Sequence, residues 1–60
     1  MIEEIKKNAP QGATHYIDDE YGITYMMYDS PIWLTWSNNN GLWMHYIQPD
    51  EHEQSFFKPL

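Results

Sequence analysis

Residues 32–47 have the sequence IWLTWSNNNGLWMHYI, which places two apolar runs on either side of five turn-forming residues. Both runs are rich in Trp, Ile and Tyr, the residue types that favour strands. Between them, the Asn40-Gly41 pair tolerates the positive φ angles that tight hairpins require. The stretch therefore predicts two antiparallel strands, at 32–36 and 42–47, joined at 37–41 by the tightest hairpin in the chain.

Two further strands are predicted on the N-terminal side of this hairpin, at 13–17 and 23–28. The acidic stretch 18–22 ends in glycine and is predicted as a turn, and so is the Asp-Ser-Pro sequence at 29–31. Residues 23–28 are apolar on both faces, which is typical of a central strand. Strands about 8–12 residues apart predict a β-meander.

Sixty residues allow a single domain, 1–60. It divides into an N-terminal segment at 1–12, a β-sheet at 13–47 and an acidic C-terminal segment at 48–60. A short helical turn is expected near the N terminus, before Pro10. Near the other end, Phe56 and Phe57 are candidates to dock on the sheet as a short strand. The predicted fold is mainly β: a small antiparallel β-meander of three to four strands with a short N-terminal helical turn.

Composition and charge narrow the classes of function. The chain has nine acidic residues, three lysines and no arginine, which gives a net charge of −6. Nucleic-acid phosphates and anionic membranes attract clusters of Lys and Arg, so we expect neither direct nucleic-acid binding nor membrane binding. The apolar runs are also far shorter than the roughly 20 residues of a membrane-spanning helix. Because cysteine and a signal-peptide pattern are both missing, we expect a cytoplasmic location.

Motifs for catalysis or metal binding are not found in the sequence. It contains no nucleophile elbow, phosphate loop or dinucleotide fingerprint. The three histidines, His15, His45 and His52, lack the spacing of paired metal ligands. A sheet of this length is also expected to leave little room for a cleft of a few hundred cubic ångströms. We therefore expect no enzymatic activity, no metal and no other cofactor.

An acidic surface and an excess of aromatic side chains favour a role in binding. Tyr, Trp and Met are enriched at protein interfaces. A small domain also needs such bulky residues to build a core, and packing within the sheet is the competing explanation for each tryptophan. The candidate partner-binding residues are the acids, tyrosine and tryptophans Asp18, Asp19, Glu20, Tyr21, Trp33, Trp36, Trp43, Asp50, Glu51 and Glu53.

The predicted sheet carries apolar side chains on both of its faces. The material available to cover them is the N-terminal segment and the pair Phe56 and Phe57, which we expect to shield one face only. Monomers rarely expose contiguous apolar patches above a few hundred Å². The remaining face is therefore expected to be covered by a second copy in a homodimer, or to be reserved for a partner protein.

Residues 10–16, PQGATHY, resemble a P-x-G-A-T-H-Y opening found in small proteins and domains of tailed bacteriophages. In that group the opening precedes aromatic strands and a hairpin with a Gly-x-Trp sequence, which Gly41-Leu42-Trp43 matches. The resemblance covers roughly residues 10–47 and implies an accessory protein made inside an infected bacterium. It implies no catalytic residue. The acidic turn at 18–20 and the acidic C-terminal segment depart from the pattern.

Two functions are compatible with these features. The first is a non-catalytic protein that binds a bacterial host protein and inhibits or modulates it, either in host takeover or to counteract a host defence system. Its acidic surface would suit a basic partner, such as a protein with a nucleic-acid-binding site. The alternative is a structural or assembly module of the virion that acts by oligomerisation.

Overall fold

The computed structural model describes residues 2–60, which form one antiparallel sheet of five strands with two short helices. In chain order the elements are α1 (Ile2–Asn8), β1 (His15–Asp19), β2 (Gly22–Asp29), β3 (Ile32–Ser37), β4 (Leu42–His45), α2 (Glu51–Gln54) and β5 (Lys58–Pro59). The strand order across the sheet is β4-β3-β2-β1-β5. The structure confirms the predictions of a mainly β fold, an N-terminal helix and a central second strand. The four predicted strands form the meander, and β5 adds a fifth beside β1.

The lengths of the three hairpin loops differ from the sequence prediction. Glu20 and Tyr21 alone connect β1 to β2, and Ser30 and Pro31, joined by a cis peptide bond, connect β2 to β3. The loop between β3 and β4 has four residues, 38–41, so the hairpin predicted to be tightest is the longest of the three.

The four-residue loop is held by bonds to Ser37. The amide of Gly41 donates to the Ser37 carbonyl at 2.8 Å, and the Asn40 side-chain amide donates to the Ser37 hydroxyl at 3.1 Å. Within this loop, only Gly41 has a positive φ, at 66°. A two-residue Asn-Gly turn would need positive φ at both residues, and bonding to Ser37 holds Asn40 in another conformation.

The boundaries of two strands, β1 and β4, also differ from the prediction. β1 begins and ends two residues later than predicted, because Asp18 and Asp19 pair with Ile23 and Gly22 across the hairpin instead of forming the turn. Asp19 pairs in the ladder and still serves the turn, because its carboxylate accepts from the Tyr21 amide at 2.9 Å. β4 ends at His45, two residues early, and Ile47 is 85% exposed as the chain leaves the sheet.

The core lies on the side of the sheet that the C-terminal segment covers, here called the C-terminal face. Met26 of β2 is fully buried there, and Trp33 of β3 and Phe57 are 7% and 8% exposed. The Trp33 ring meets Phe57 edge-on at 4.7 Å between ring centroids. Ile17 and Tyr46 pack against this cluster. Aromatic contacts across the sheet therefore supply the core of this short chain.

The opposite side, here called the N-terminal face, is covered by the segment before β1. The Tyr25 hydroxyl donates to the Ile5 carbonyl of α1 at 2.7 Å, and the Trp43 indole donates to the Gln11 carbonyl at 3.2 Å. Trp36 packs edge-on against Trp43, its cross-strand partner, at 5.3 Å. The terminal segments therefore divide between the two faces, which corrects the expectation that they shield one face only.

The PQGATHY stretch connects three parts of the fold. Its first four residues form a β-turn in which the Ala13 amide donates to the Pro10 carbonyl at 3.1 Å, and Gly12 has a φ of 98°. Thr14 then bonds to two other segments: its hydroxyl accepts from the Tyr28 amide at 2.8 Å, and its carbonyl accepts from the Leu60 amide at 3.1 Å. The motif is therefore a structural junction between β2 and both termini.

Candidate functional site

An open groove lies on the C-terminal face, beside the outer edge of β1. β5 pairs only with His15 and Tyr16, so the second half of β1 has no strand on that side among residues 2–60. The groove has a volume of about 500 Å³, more room than the sequence led us to expect. Its lining residues, which define the acidic groove, are Ile17, Asp18, Asp19, Tyr46, Glu53, Ser55, Phe56, Phe57 and Lys58.

The lining of the acidic groove combines carboxylates with apolar surface. Asp18 and Asp19 come from the end of β1, and Glu53 comes from α2. Strand alternation puts Asp19 on the same face as Ile17 and Asp18 on the opposite face, so Asp18 borders the groove from the strand edge. One carboxylate oxygen of Asp19 also accepts from the Tyr21 amide at 2.9 Å. Lys58 is the one basic residue among the lining residues. The apolar part includes the edge of the core and the ring of Phe56, which is 56% exposed. A carboxylate rim beside exposed aromatic carbon suits a cationic side chain with an apolar stem, such as Lys or Arg.

Glu53 is held in place by two contacts. Its backbone amide donates to the side chain of Asp50, the N-cap of α2, at 2.8 Å. Its carboxylate accepts a short hydrogen bond from the Tyr46 hydroxyl. That bond raises the pKa of Tyr46 above its ordinary value, and burial and the charge of Glu53 raise it further. The neutral phenol therefore stays beside the carboxylate at neutral pH.

A second depression adjoins the acidic groove. It has a volume of about 410 Å³ and is lined by His45, Tyr46, Ile47 and Glu53. Tyr46 and Glu53 line both hollows, so their hydrogen-bonded pair separates two parts of one continuous surface.

Three of the predicted acidic residues line one groove, and the others lie apart from it. Asp18, Asp19 and Glu53 share the acidic groove. Glu20 and Tyr21 form the tip of the β1–β2 hairpin, where the Tyr21 side chain is 90% exposed. On α2 the Asp50 carboxylate is occupied as a helix cap, and Glu51 is exposed to solvent.

The three tryptophans have structural roles in this fold. Trp33 is buried in the core, so it cannot belong to a partner-binding surface as the sequence suggested. Besides Phe57, its ring contacts His15 at 4.9 Å and Tyr28 at 4.7 Å. Trp36 and Trp43 are half-buried on the other face, where the Trp43 indole bonds to the N-terminal segment and Trp36 packs against Trp43. The alternation of β3 sends Trp33 to one face and Trp36 to the other, and each face has its own covering segment.

Several residues of the site were missed by the sequence analysis. Ile17, Tyr46 and Lys58 come from separate elements, and only the packing of the C-terminal segment brings them to one groove. Phe56 had a visible signal, because an apolar pair directly after an acidic helical turn predicts one buried and one exposed ring.

A metal-ligand cluster and a membrane-spanning helix are both absent from the described part of the chain. Within residues 2–60, no three His, Asp or Glu side chains lie close enough together to hold a metal ion. Neither of the helices in that range has the length and apolarity needed to cross a bilayer. Comparison with protein-family models, curated proteins and solved structures gives no significant match.

Proposed function

We propose that this chain is a small non-catalytic binding protein that holds a basic segment of a partner protein in its acidic groove. The observation that supports this proposal is a single groove that Asp18, Asp19 and Glu53 line together with the exposed ring of Phe56. These residues come from distant parts of the sequence and converge on one surface.

The chemistry of the groove favours an arginine or lysine side chain. A guanidinium pairs with carboxylates through directed hydrogen bonds, and its alkyl stem packs on aromatic carbon. The hydrogen bond from Tyr46 leaves the negative charge of Glu53 in place, because the tyrosine hydroxyl is uncharged. The net charge of −6 further attracts a basic surface from a distance and raises the association rate.

The proposed partner is a bacterial host protein, and the setting is the cytoplasm of an infected bacterium. This part rests on the resemblance of residues 10–16 and of the aromatic hairpin to small phage proteins. A host protein with a nucleic-acid-binding site is the favoured class, because such a site is basic by necessity. Occupying it would inhibit or modulate that host protein without any chemical step.

A virion assembly module is the second candidate function. The observation that favours it is the outer edge of β4, which has no neighbouring strand among residues 2–60. Detection of the protein in purified phage particles would support assembly, whereas early expression and absence from particles would support host binding.

The test uses the tagged chain to capture proteins from a lysate of infected host cells, with identification by mass spectrometry. The association rate with the captured partner is then measured for two variants of equal net charge. Asp18→Lys with Asp19→Lys reverses the groove, and Glu3→Lys with Glu4→Lys makes the same change in α1. We expect the groove variant alone to lose capture and to associate at least about tenfold more slowly. Equal behaviour of the two variants would reject the groove as the binding site.

A further inference from the structure

The two edges of the sheet differ in how they are protected from other strands. One edge is β5, a two-residue strand that consists of Lys58 and Pro59. Lysine and proline are residues that block further strand pairing. The other edge is β4, the four residues Leu42–His45, and nothing within residues 2–60 pairs with its outer side.

The hydrogen-bond register shows which backbone groups β4 presents at this edge. The amide of Tyr46 donates to the carbonyl of Trp33 at 3.0 Å, so these two residues form a hydrogen-bonded pair. Hydrogen-bonded and non-hydrogen-bonded pairs alternate along an antiparallel ladder. His45 and Trp43 are therefore in non-hydrogen-bonded pairs with β3. Their N–H and C=O groups point outward, as a template for another strand.

None of the side chains of β4 would block pairing of this edge with another strand. The strand contains no charged residue, no proline and no bulge-forming glycine. Leu42 and Met44 point to the same face and are 49% and 45% exposed. An uncharged edge with exposed apolar side chains is a surface that natural proteins usually cover.

We propose that this edge is an interface between two copies of the chain, which pair β4 with β4 around a two-fold axis. In an antiparallel pair centred on Met44, Trp43 lies opposite His45 of the second copy, and His45 lies opposite its Trp43. Each of these pairs exchanges two backbone hydrogen bonds. The Met44 side chains of the two copies meet at the axis and cover each other.

A second copy fits this edge better than a foreign strand for two reasons. The register is self-complementary, because a two-fold rotation pairs the outward N–H and C=O groups of one chain with those of the other. The strand also carries no charge with which to select an unlike partner, whereas selective interfaces usually place charges for that purpose.

The dimer interface differs from the acidic groove in its response to salt. Each copy has a net charge of −6, so the copies repel one another, and added salt screens that repulsion. Self-association should therefore strengthen with salt, whereas binding of a basic segment in the groove should weaken. This opposite dependence separates the two proposals, and either can fail without the other.

The experiment is sedimentation velocity from about 10 μM to about 1 mM protein. It is run at about 50 mM and about 500 mM salt, which changes the screening length several-fold. We expect the dimer fraction to rise with both concentration and salt. Amide hydrogen exchange at Trp43 and His45 should slow over the same range. A monomer under all conditions, or a dimer in which these two amides exchange at an unchanged rate, would overturn the proposal.

A matched pair of variants tests the register. Met44→Lys places two ammonium groups face to face at the axis and should weaken the dimer at least about tenfold. Ile47→Lys adds the same charge at a residue outside β4 that is 85% exposed, and should leave the dimer intact. Equal dimerisation of the two folded variants would contradict pairing centred on Met44. If the Trp43 amide became protected from exchange only after a captured host protein was added, the strand at the β4 edge would be a foreign one.

Discussion

The hydroxyl of Tyr46 donates a hydrogen bond to the carboxylate of Glu53 and so joins the end of β4 to α2. This bond closes one side of the acidic groove and fixes the position of the one groove carboxylate that does not come from the β1–β2 hairpin. The groove therefore depends on a tyrosine that the chain places directly after its fourth strand.

Tyr46→Phe should reduce the stability of the domain at neutral pH by about 1 kcal/mol, because Glu53 loses its donor. The variant should also be less sensitive to alkaline pH. The folded state holds the phenol proton more tightly than the unfolded state, so the stabilisation is complete below about pH 10 and is lost as the pH rises through the raised pKa of Tyr46.

The measurement is thermal unfolding, followed by circular dichroism between about pH 8 and about pH 11. Tyr21→Phe is the control, since that side chain is 90% exposed and its hydroxyl is not needed by the fold. A wild-type curve that falls no more steeply at alkaline pH than that of Tyr46→Phe would contradict the prediction.

His15 should titrate below the ordinary value for histidine. Its ring packs against Trp33, and burial lowers its pKa from 6.5 by disfavouring the charged form. The unfolded state then binds the proton first, so the contribution of His15 to stability is complete above about pH 6.5 and is lost as the pH falls through the lower pKa of the folded state.

Titration of the imidazole C–H signals by NMR measures this pKa directly. Urea unfolding between about pH 7.5 and about pH 5 should show a smaller loss of stability in His15→Gln than in the wild type. His52→Gln, in the exposed part of α2, serves as the control. A His15 midpoint above 6.5 would be the contrary result.

The adjacent residues Phe56 and Phe57 should respond very differently to truncation. Phe57→Ala removes a ring that is 8% exposed from the core and should cost about 3–5 kcal/mol, enough to unfold much of a domain of this size. Phe56→Ala removes a ring that is 56% exposed and should cost less than about 1 kcal/mol, while weakening partner capture. Chemical denaturation of both variants checks the order, and equal costs would mean that the C-terminal segment does not dock as described.

Gly12→Ala should destabilise the domain by about 1–3 kcal/mol. The residue has a φ of 98°, and a Cβ atom there would lie 3.0 Å from the sulfur of Met27. Gly41→Ala is the comparison, because its φ is 66° and no atom lies within 4 Å of the added Cβ. Denaturant midpoints of the two variants should therefore differ, with Gly12→Ala the lower. The reverse order would mean that the turn before β1 carries little strain.

Sequence patterns were enough to predict the antiparallel sheet, its four main strands and the central place of β2. These features depend on alternation between neighbouring residues and on turn formers such as Pro31 and Gly41, which act over a few residues. The same local signals located the hairpins but gave the wrong length for the β3–β4 loop. That loop is held by the bonds that Asn40 and Gly41 donate to Ser37, and these bonds depend on the register of the hairpin.

What covers each face of the sheet depends on long-range packing, which the sequence pattern does not reveal. The N-terminal segment covers Trp43, and the C-terminal segment covers Trp33, so tryptophans that look alike in the sequence are buried against different segments. The groove that Asp18, Asp19 and Glu53 line was likewise not predictable from the sequence, since no periodicity links β1 to α2. Local pattern fixes which side of a strand a residue occupies, whereas the material that covers that side comes from long-range packing, which the chain selects as a whole.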